Sequence, residues 1–248
     1  MLHPARTLPS GEVRAAAGFS ENVAIGSFSR GLNDAAGEAA ANPSGPPATD
    51  VTFAKGALVA ASVAPGLSPF GAARVGLGAQ FEAGLAYTGR AVRVDARRSF
   101  NLSPGVSLGA GVGGSAALYG QQGASPLPNV DLGTMFGWGA DVPVLVGYES
   151  AGGLYMAWAG ARAGWEHVDI GPLPSEPGNG TLGAPPASLS ATRLWGGGVA
   201  GLAVGFRHIH VAAELDVSYA RITGEYNQVQ ANIDGLTVAP SAALWWNF

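Results

Sequence analysis

The 248-residue chain is 47% hydrophobic and 12% charged, with 39 glycines, no cysteine and a formal net charge of -4. A soluble domain averages about 25% charged residues, so half that share excludes a chain whose whole surface faces bulk water. The slight acidity and the scatter of the arginines disfavour a nucleic-acid binder.

Nowhere do apolar residues run for the roughly 18 positions a spanning helix needs; the Gly-rich Gly196–Phe206 comes nearest. A closed β-barrel is the remaining way to satisfy every backbone N–H and C=O in hydrocarbon. Residues 1–10 (MLHPARTLPS) read as irregular and lack the charged start and apolar core of a signal peptide. For an exported protein the expectation is a leader removed ahead of Met1, with a lipidated upstream cysteine equally compatible. Residues 11–248 are expected to form one domain.

The first strand, Glu12–Ser20, alternates Val13, Ala15, Ala17 and Phe19 with Glu12, Arg14 and small residues. Ser29–Asp50, rich in Gly, Pro, Asn and Asp, reads as a long outer loop. Val51–Ala64 reads as the returning strand and Pro65–Pro69 as a turn. From Ala72 to Tyr87 two readings stay open: one long alternating strand, or a tight turn at Gly78-Ala79-Gln80 that sets Ala72–Leu77 apart. Thr88–Arg90 is a short outer turn, and Ala91–Phe100 a charged descending strand. After a turn at Asn101–Gly105, Val106–Tyr119 rises, Gly120–Gly133 loops and Thr134–Tyr148 descends. Glu149–Gly153 turns, Leu154–His167 rises, Asp169–Ala191 loops and Thr192–Phe206 descends to a tight turn at Arg207-His208. Ile209–Thr223 rises and Gly224–Gly235 loops.

The final stretch, Leu236–Phe248, places Leu236, Val238, Pro240, Ala242, Leu244, Trp246 and Phe248 on one face at period two. With its terminal aromatic residue in register with that apolar face, it resembles the closing strand of bacterial outer-membrane β-barrels. That resemblance implies that Leu244, Trp246 and Phe248 form a signal read by the barrel-assembly machinery. It also implies a bacterial outer-membrane location, with membrane lipid as a partner. The whole then reads as an all-β, transmembrane, antiparallel up-and-down barrel of about ten strands, eight or twelve being left open by Ala72–Phe100. Short turns face the periplasm and four long loops face outward.

Aromatic residues collect near the strand ends, as interfacial girdles do: Phe19, Tyr87, Tyr119, Trp138, Tyr148, Tyr155, Trp165, Trp195, Phe206, Tyr219 and Trp246. With lipid outside, charged residues must line the lumen, and Glu12, Arg14, Arg74, Glu82, Asp141, Arg162, Glu166, Glu214 and Asp216 are the candidates, pairing as arginine–carboxylate ladders. Glycines share the inward faces, among them Gly76, Gly109, Gly111, Gly113, Gly197 and Gly201. They imply either a narrow water-filled passage or a lumen occupied by the N-terminal segment, a folded-in loop or a partner.

The expected function is a narrow passive pore for small solutes, the alternative a structural or interaction barrel that binds another envelope protein. Glu166, His167 and Asp169 at the outer rim resemble the rim residues of omptin-type proteases, but no paired Asp motif stands on an opposite strand, and nothing specifies the outer-surface His and Ser of barrel-type lipid deacylases, so a rim hydrolase of either type is disfavoured. Gly109–Gly114 opens no amphipathic helix and is not a nucleotide loop. His208 and His210 lack a third metal ligand near them in sequence. No cofactor, metal or catalytic residue is expected.

Overall fold

A computed structural model describes residues 4–41, 50–118, 127, 130, 132–171 and 188–248. Ten antiparallel strands close into a barrel: β1 (Val13–Ile25), β2 (Gly66–Gly78), β3 (Phe81–Tyr87), β4 (Ala91–Ser103), β5 (Val106–Ala117), β6 (Met135–Glu149), β7 (Tyr155–Ile170), β8 (Leu189–Phe206), β9 (Ile209–Tyr226) and β10 (Val229–Asn247). Each strand pairs with its sequence neighbours, and β1 closes on β10, with Ala15 opposite Trp246 and Ser20 opposite Ser241. Closure leaves no edge strand, which is what an apolar solvent requires.

The outer face is apolar because of the period-two pattern. Val94, Leu194, Leu202, Val211 and Leu244 point out, each more than half exposed. A barrel in water would hide these side chains; lipid leaves them where they are. β1 starts and β10 finishes at the same end as the connections between β2 and β3, β4 and β5, β6 and β7, and β8 and β9; at the opposite end β3–β4 and β9–β10 are also joined by short turns. The short segment between Gly78 and Phe81 settles the open choice at Ala72–Tyr87: Ala79 and Gln80 make the turn with φ of 48° and 64°, and two strands result. Pro65–Pro69 is mostly strand, Pro69 lying opposite Phe19.

Two expectations fail between β1 and β2. Ser27–Ala41 is a helix, α1, and Val51–Val63 is a second helix, α2; residues 42–49 of the predicted loop lie outside the described residues. In α1 the alanines outweigh Gly31, Asn33 and Gly37 as helix formers. α2 carries an N-cap that was visible in the sequence: Asp50 Oδ1 accepts from the N–H groups of Thr52 (2.7 Å) and Phe53 (3.1 Å). It is apolar on nearly every side because it is buried on nearly every side, so no helical period betrayed it. The strand count stays at ten because the helix replaces one expected strand while the turn at Ala79-Gln80 makes two strands of Ala72–Tyr87.

The expected loop Gly224–Gly235 is also strand. β9 and β10 continue to a two-residue turn at Asn227-Gln228, both at positive φ (46° and 72°), the geometry of a tight hairpin. An 18-residue strand such as β9 spans about 59 Å along its axis at about 3.3 Å per residue, against an apolar band about 25 Å tall. Even tilted, its upper part clears the membrane. There the pattern inverts: Arg221, Thr223, Gln230, Asn232 and Asp234 point out, while Ile222, Tyr226 and Ala231 point in and pack on α2. Polar outer residues and glycine at 224 mimic a loop when read as sequence alone.

Candidate functional site

The candidate site is the lumen, filled at three levels. At the end where β1 starts and β10 finishes, residues 4–10 fold up into the barrel. Glycine makes the room: a Cβ on Gly76 would lie 1.9 Å from the Pro9 carbonyl oxygen, and one on Gly109 would lie 2.5 Å from that of Ala5. The segment is held by polar contacts, Leu8 N–H donating to Glu82 Oε2 (3.0 Å), Arg97 Nη1 donating to the Pro4 carbonyl (3.0 Å) and Thr7 bonding Ser99 through their hydroxyls (2.7 Å).

At mid-height a chain of alternating charges crosses the bore. Glu82 Oε1 accepts from Arg97 Nη2 (2.6 Å) and Arg74 Nη1 (2.8 Å), and Arg74 grips Asp95 with two bonds (2.9 and 3.1 Å). Asp95 also pairs with Arg93, which holds Asp141 bidentately (2.9 and 3.0 Å). Asp141 accepts from Arg162 (3.2 Å), which reaches Asp216 (3.4 Å). The eight groups alternate in sign and sum to zero. They stand on β2, β3, β4, β6, β7 and β9, and glycines on the skipped strands give them space: a Cβ on Gly111 would meet Arg97, and one on Gly113 would meet Arg93. Buried charges demand such pairing, because each left alone forfeits several kcal/mol of hydration.

At the loop end α2 descends into the bore, with Phe53, Ala57 and Leu58 fully buried against β7–β10. Its last carbonyls are capped from the wall: Arg90 donates to Ala61 O (2.9 Å) and Ser62 O (3.2 Å), and Arg193 to Ser62 O (3.3 Å). Glu166 joins the two arginines, at 2.8 Å from Arg90 and 3.8 Å from Arg193. Cations at a helix C-terminus also meet the negative end of its dipole. α1 lies above, burying Phe28, Ala35 and Ala39 and exposing Arg30, Asn33 and Asp34. Between α2 and the charge chain lies a cavity of about 220 Å3 lined by Arg93, Arg162, Trp195, Glu214 and Asp216 among others.

Of the predicted lumen residues, Arg14, Arg74, Glu82, Asp141, Arg162, Glu166, Glu214 and Asp216 all turn inward. Glu214 accepts from the Trp158 indole N–H (2.7 Å). Glu12 differs: it precedes β1 and is exposed at the rim. Missed were Arg93, Asp95 and Arg97, legible at period two in a strand recognised as charged, and Arg90 and Arg193, whose role depends on a helix the pattern did not reveal.

Phe19, Tyr87, Trp138, Tyr148, Tyr155, Phe206, Tyr219 and Trp246 stand exposed on the outer face, with Trp165 packed edge-on to Trp138 at 4.3 Å; Tyr119 lies outside the described residues. Trp195 is a correction. It faces the lumen, where the Arg162 and Arg193 guanidiniums lie 5.2 and 5.9 Å from its ring and Gly164 leaves it space. Inward Gly197, two residues on, already demanded that parity. At the rim, Glu166 faces inward, whereas His167 and Asp169 pair on the outside (3.1 Å), the ring of His167 stacked on Trp165. Leu244, Trp246 and Phe248 point outward, Trp246 and Phe248 being 5.9 Å apart.

An apolar exterior wrapped round a charged bore settles the architecture. The chain is a ten-stranded transmembrane β-barrel of the outer-membrane type. Similar solved structures include the Escherichia coli outer membrane protease OmpT, 9% identical over 97% of each chain with a TM-score of 0.40. Neisserial surface protein A is 11% identical over 96% of each chain (TM-score 0.36), and an outer membrane channel from Pseudomonas putida 10% identical over the full length of both (TM-score 0.36). No family model and no curated protein matches the chain.

Proposed function

We propose that this protein resides in the bacterial outer membrane as a barrel closed at rest, acting as a structural or interaction protein rather than an open pore. The observation that carries this reading is α2, an apolar helix buried in the upper bore and capped at its inner end by Arg90 and Arg193. Residues 4–10 below and the charge chain between add to it. Lipid meets the apolar band, the assembly machinery reads the last strand through Leu244, Trp246 and Phe248, and α1 with the polar rim of β9 and β10 is the surface offered to an envelope partner. The rim-hydrolase reading draws little support, since Glu166 is turned away from His167 and Asp169.

A second reading, a gated passage for small solutes, is favoured by the charged 220 Å3 cavity beneath α2, which displacement of the helix would connect to the exterior. Single-channel recording of the purified protein in planar bilayers tests both. The closed-barrel reading expects silence with rare openings at most. Steady ohmic conductance of the unmodified protein at low voltage refutes it.

A further inference from the structure

Arg14 is the arginine the charge chain leaves out. It is buried, 7% exposed, yet no carboxylate among the described residues lies within salt-bridge distance. Its Nε donates to the Asn247 side-chain oxygen (2.8 Å), its guanidinium lies 4.7 Å from the Trp245 ring, and its Nη1 has no partner among the described residues. Every other buried lumen arginine (Arg74, Arg90, Arg93, Arg97, Arg162 and Arg193) has a carboxylate. Moreover, Arg14 stands directly opposite Arg74 on β2, a like-charge cross-strand pairing that is unfavourable on its own. Arg97 adds a third positive charge nearby, while Glu82 is already shared by two of the three.

The neighbourhood also has space to fill. Arg14 lines a cavity of about 220 Å3 between residues 4–9 and the β6–β7 wall; this adjoins a wider one of about 560 Å3 at the mouth, both touching Arg6, Tyr148, Glu149 and Asn247. Glu82 and Glu149 act on Arg14 only at a distance and are paired elsewhere, Glu82 with Arg74 and Arg97 and Glu149 with Arg6 (3.3 Å), and Glu12 is exposed. A buried guanidinium with a free N–H costs heavily unless an acceptor completes it, and an oxyanion answers both charge and geometry.

We infer that Arg14 forms a binding site for a small oxyanion, a phosphate or a carboxylate, entering from the end of the barrel where β1 starts and β10 finishes. The site itself does not depend on the barrel being closed; only the naming of that end as periplasmic rests on the reading above.

Equilibrium dialysis of the detergent-solubilised, folded protein against radiolabelled inorganic phosphate tests it, with heat-modifiable gel migration certifying the fold. The expected result is saturable uptake near one per chain, weakened at least about tenfold in Arg14→Gln and largely kept in Arg14→Lys. Competition distinguishes the source: a short peptide with a free C-terminal carboxylate displaces phosphate and its amidated twin does not if carboxylates are the natural ligand, whereas neither displaces it if phosphate is. No saturable uptake by the wild-type protein, which needs no variant to fold, overturns the proposal. So does equal uptake by a folded Arg14→Gln protein.

Discussion

Glu82→Gln removes one negative charge from a fully buried position while keeping its volume. Three donors depend on that carboxylate: Arg74 Nη1 (2.8 Å), Arg97 Nη2 (2.6 Å) and the Leu8 amide (3.0 Å). Arg74 retains Asp95, but Arg97 keeps only the Pro4 carbonyl. Breaking a buried pair by removing one partner costs about 3–5 kcal/mol, because the remaining charge stays buried without compensation. A further buried N–H left unmade would cost about 1–3 kcal/mol, and the two terms overlap. We therefore expect at least about 3 kcal/mol of lost stability, a shift of about two orders of magnitude in the folding equilibrium. Urea titration of the protein folded into lipid vesicles, followed by gel migration and tryptophan fluorescence, reads it. Since Leu8 is tethered to Glu82, the N-terminal segment should also become sensitive to protease. Stability within about 1 kcal/mol of wild type, with the segment still protected, would refute the charge-chain account.

Gly76→Ala should destabilise the full chain by about 1–3 kcal/mol, because the new methyl group drives into the Pro9 carbonyl; in a chain lacking residues 1–10 the same change should cost almost nothing, and an equal cost in both would show that the segment does not occupy the bore. Arg90→Ala removes two carbonyl caps and one bond to Glu166. Hydrogen exchange of the α2 amides should then speed up by about tenfold or more, as charged hydrogen bonds worth about 1.5–3 kcal/mol are lost, while amides of β8 and β9 in the membrane band stay protected. Unchanged α2 exchange would mean that the arginines do not anchor the helix.

The fold was legible where physics imposes a period. The lipid-facing alternation located β4 to β9 to within a few residues and the membrane part of β10, and parity alone placed Arg74, Glu82, Asp141, Arg162 and Asp216 in the bore. It failed where the solvent changes. Above the membrane, β9 and β10 exchange apolar outside for apolar inside, so the strands dissolved into an apparent loop at Gly224–Gly235. Within the bore, α2 meets protein on nearly every side, so its sequence shows composition without a stripe, and only Asp50 ahead of the apolar run pointed to a helix. Inward glycines were seen but not their counterparts. Several are matched to a particular bulky neighbour, Gly113 to Arg93, Gly201 to Trp158 and Gly164 to Trp195, and those matches follow from register rather than from any local signal.

Because the chain contains no cysteine, two single-cysteine variants can test directly whether α2 fills the barrel. Ala57→Cys places a thiol at a fully buried position of α2, and Asn33→Cys places one on the exposed face of α1. On intact cells treated with a membrane-impermeant maleimide, the account predicts rapid labelling at residue 33 and none at residue 57 until the protein is heat-unfolded. Rapid labelling at residue 57 in the folded protein would contradict a helix-plugged barrel, and no labelling at residue 33 would contradict an outward-facing cap.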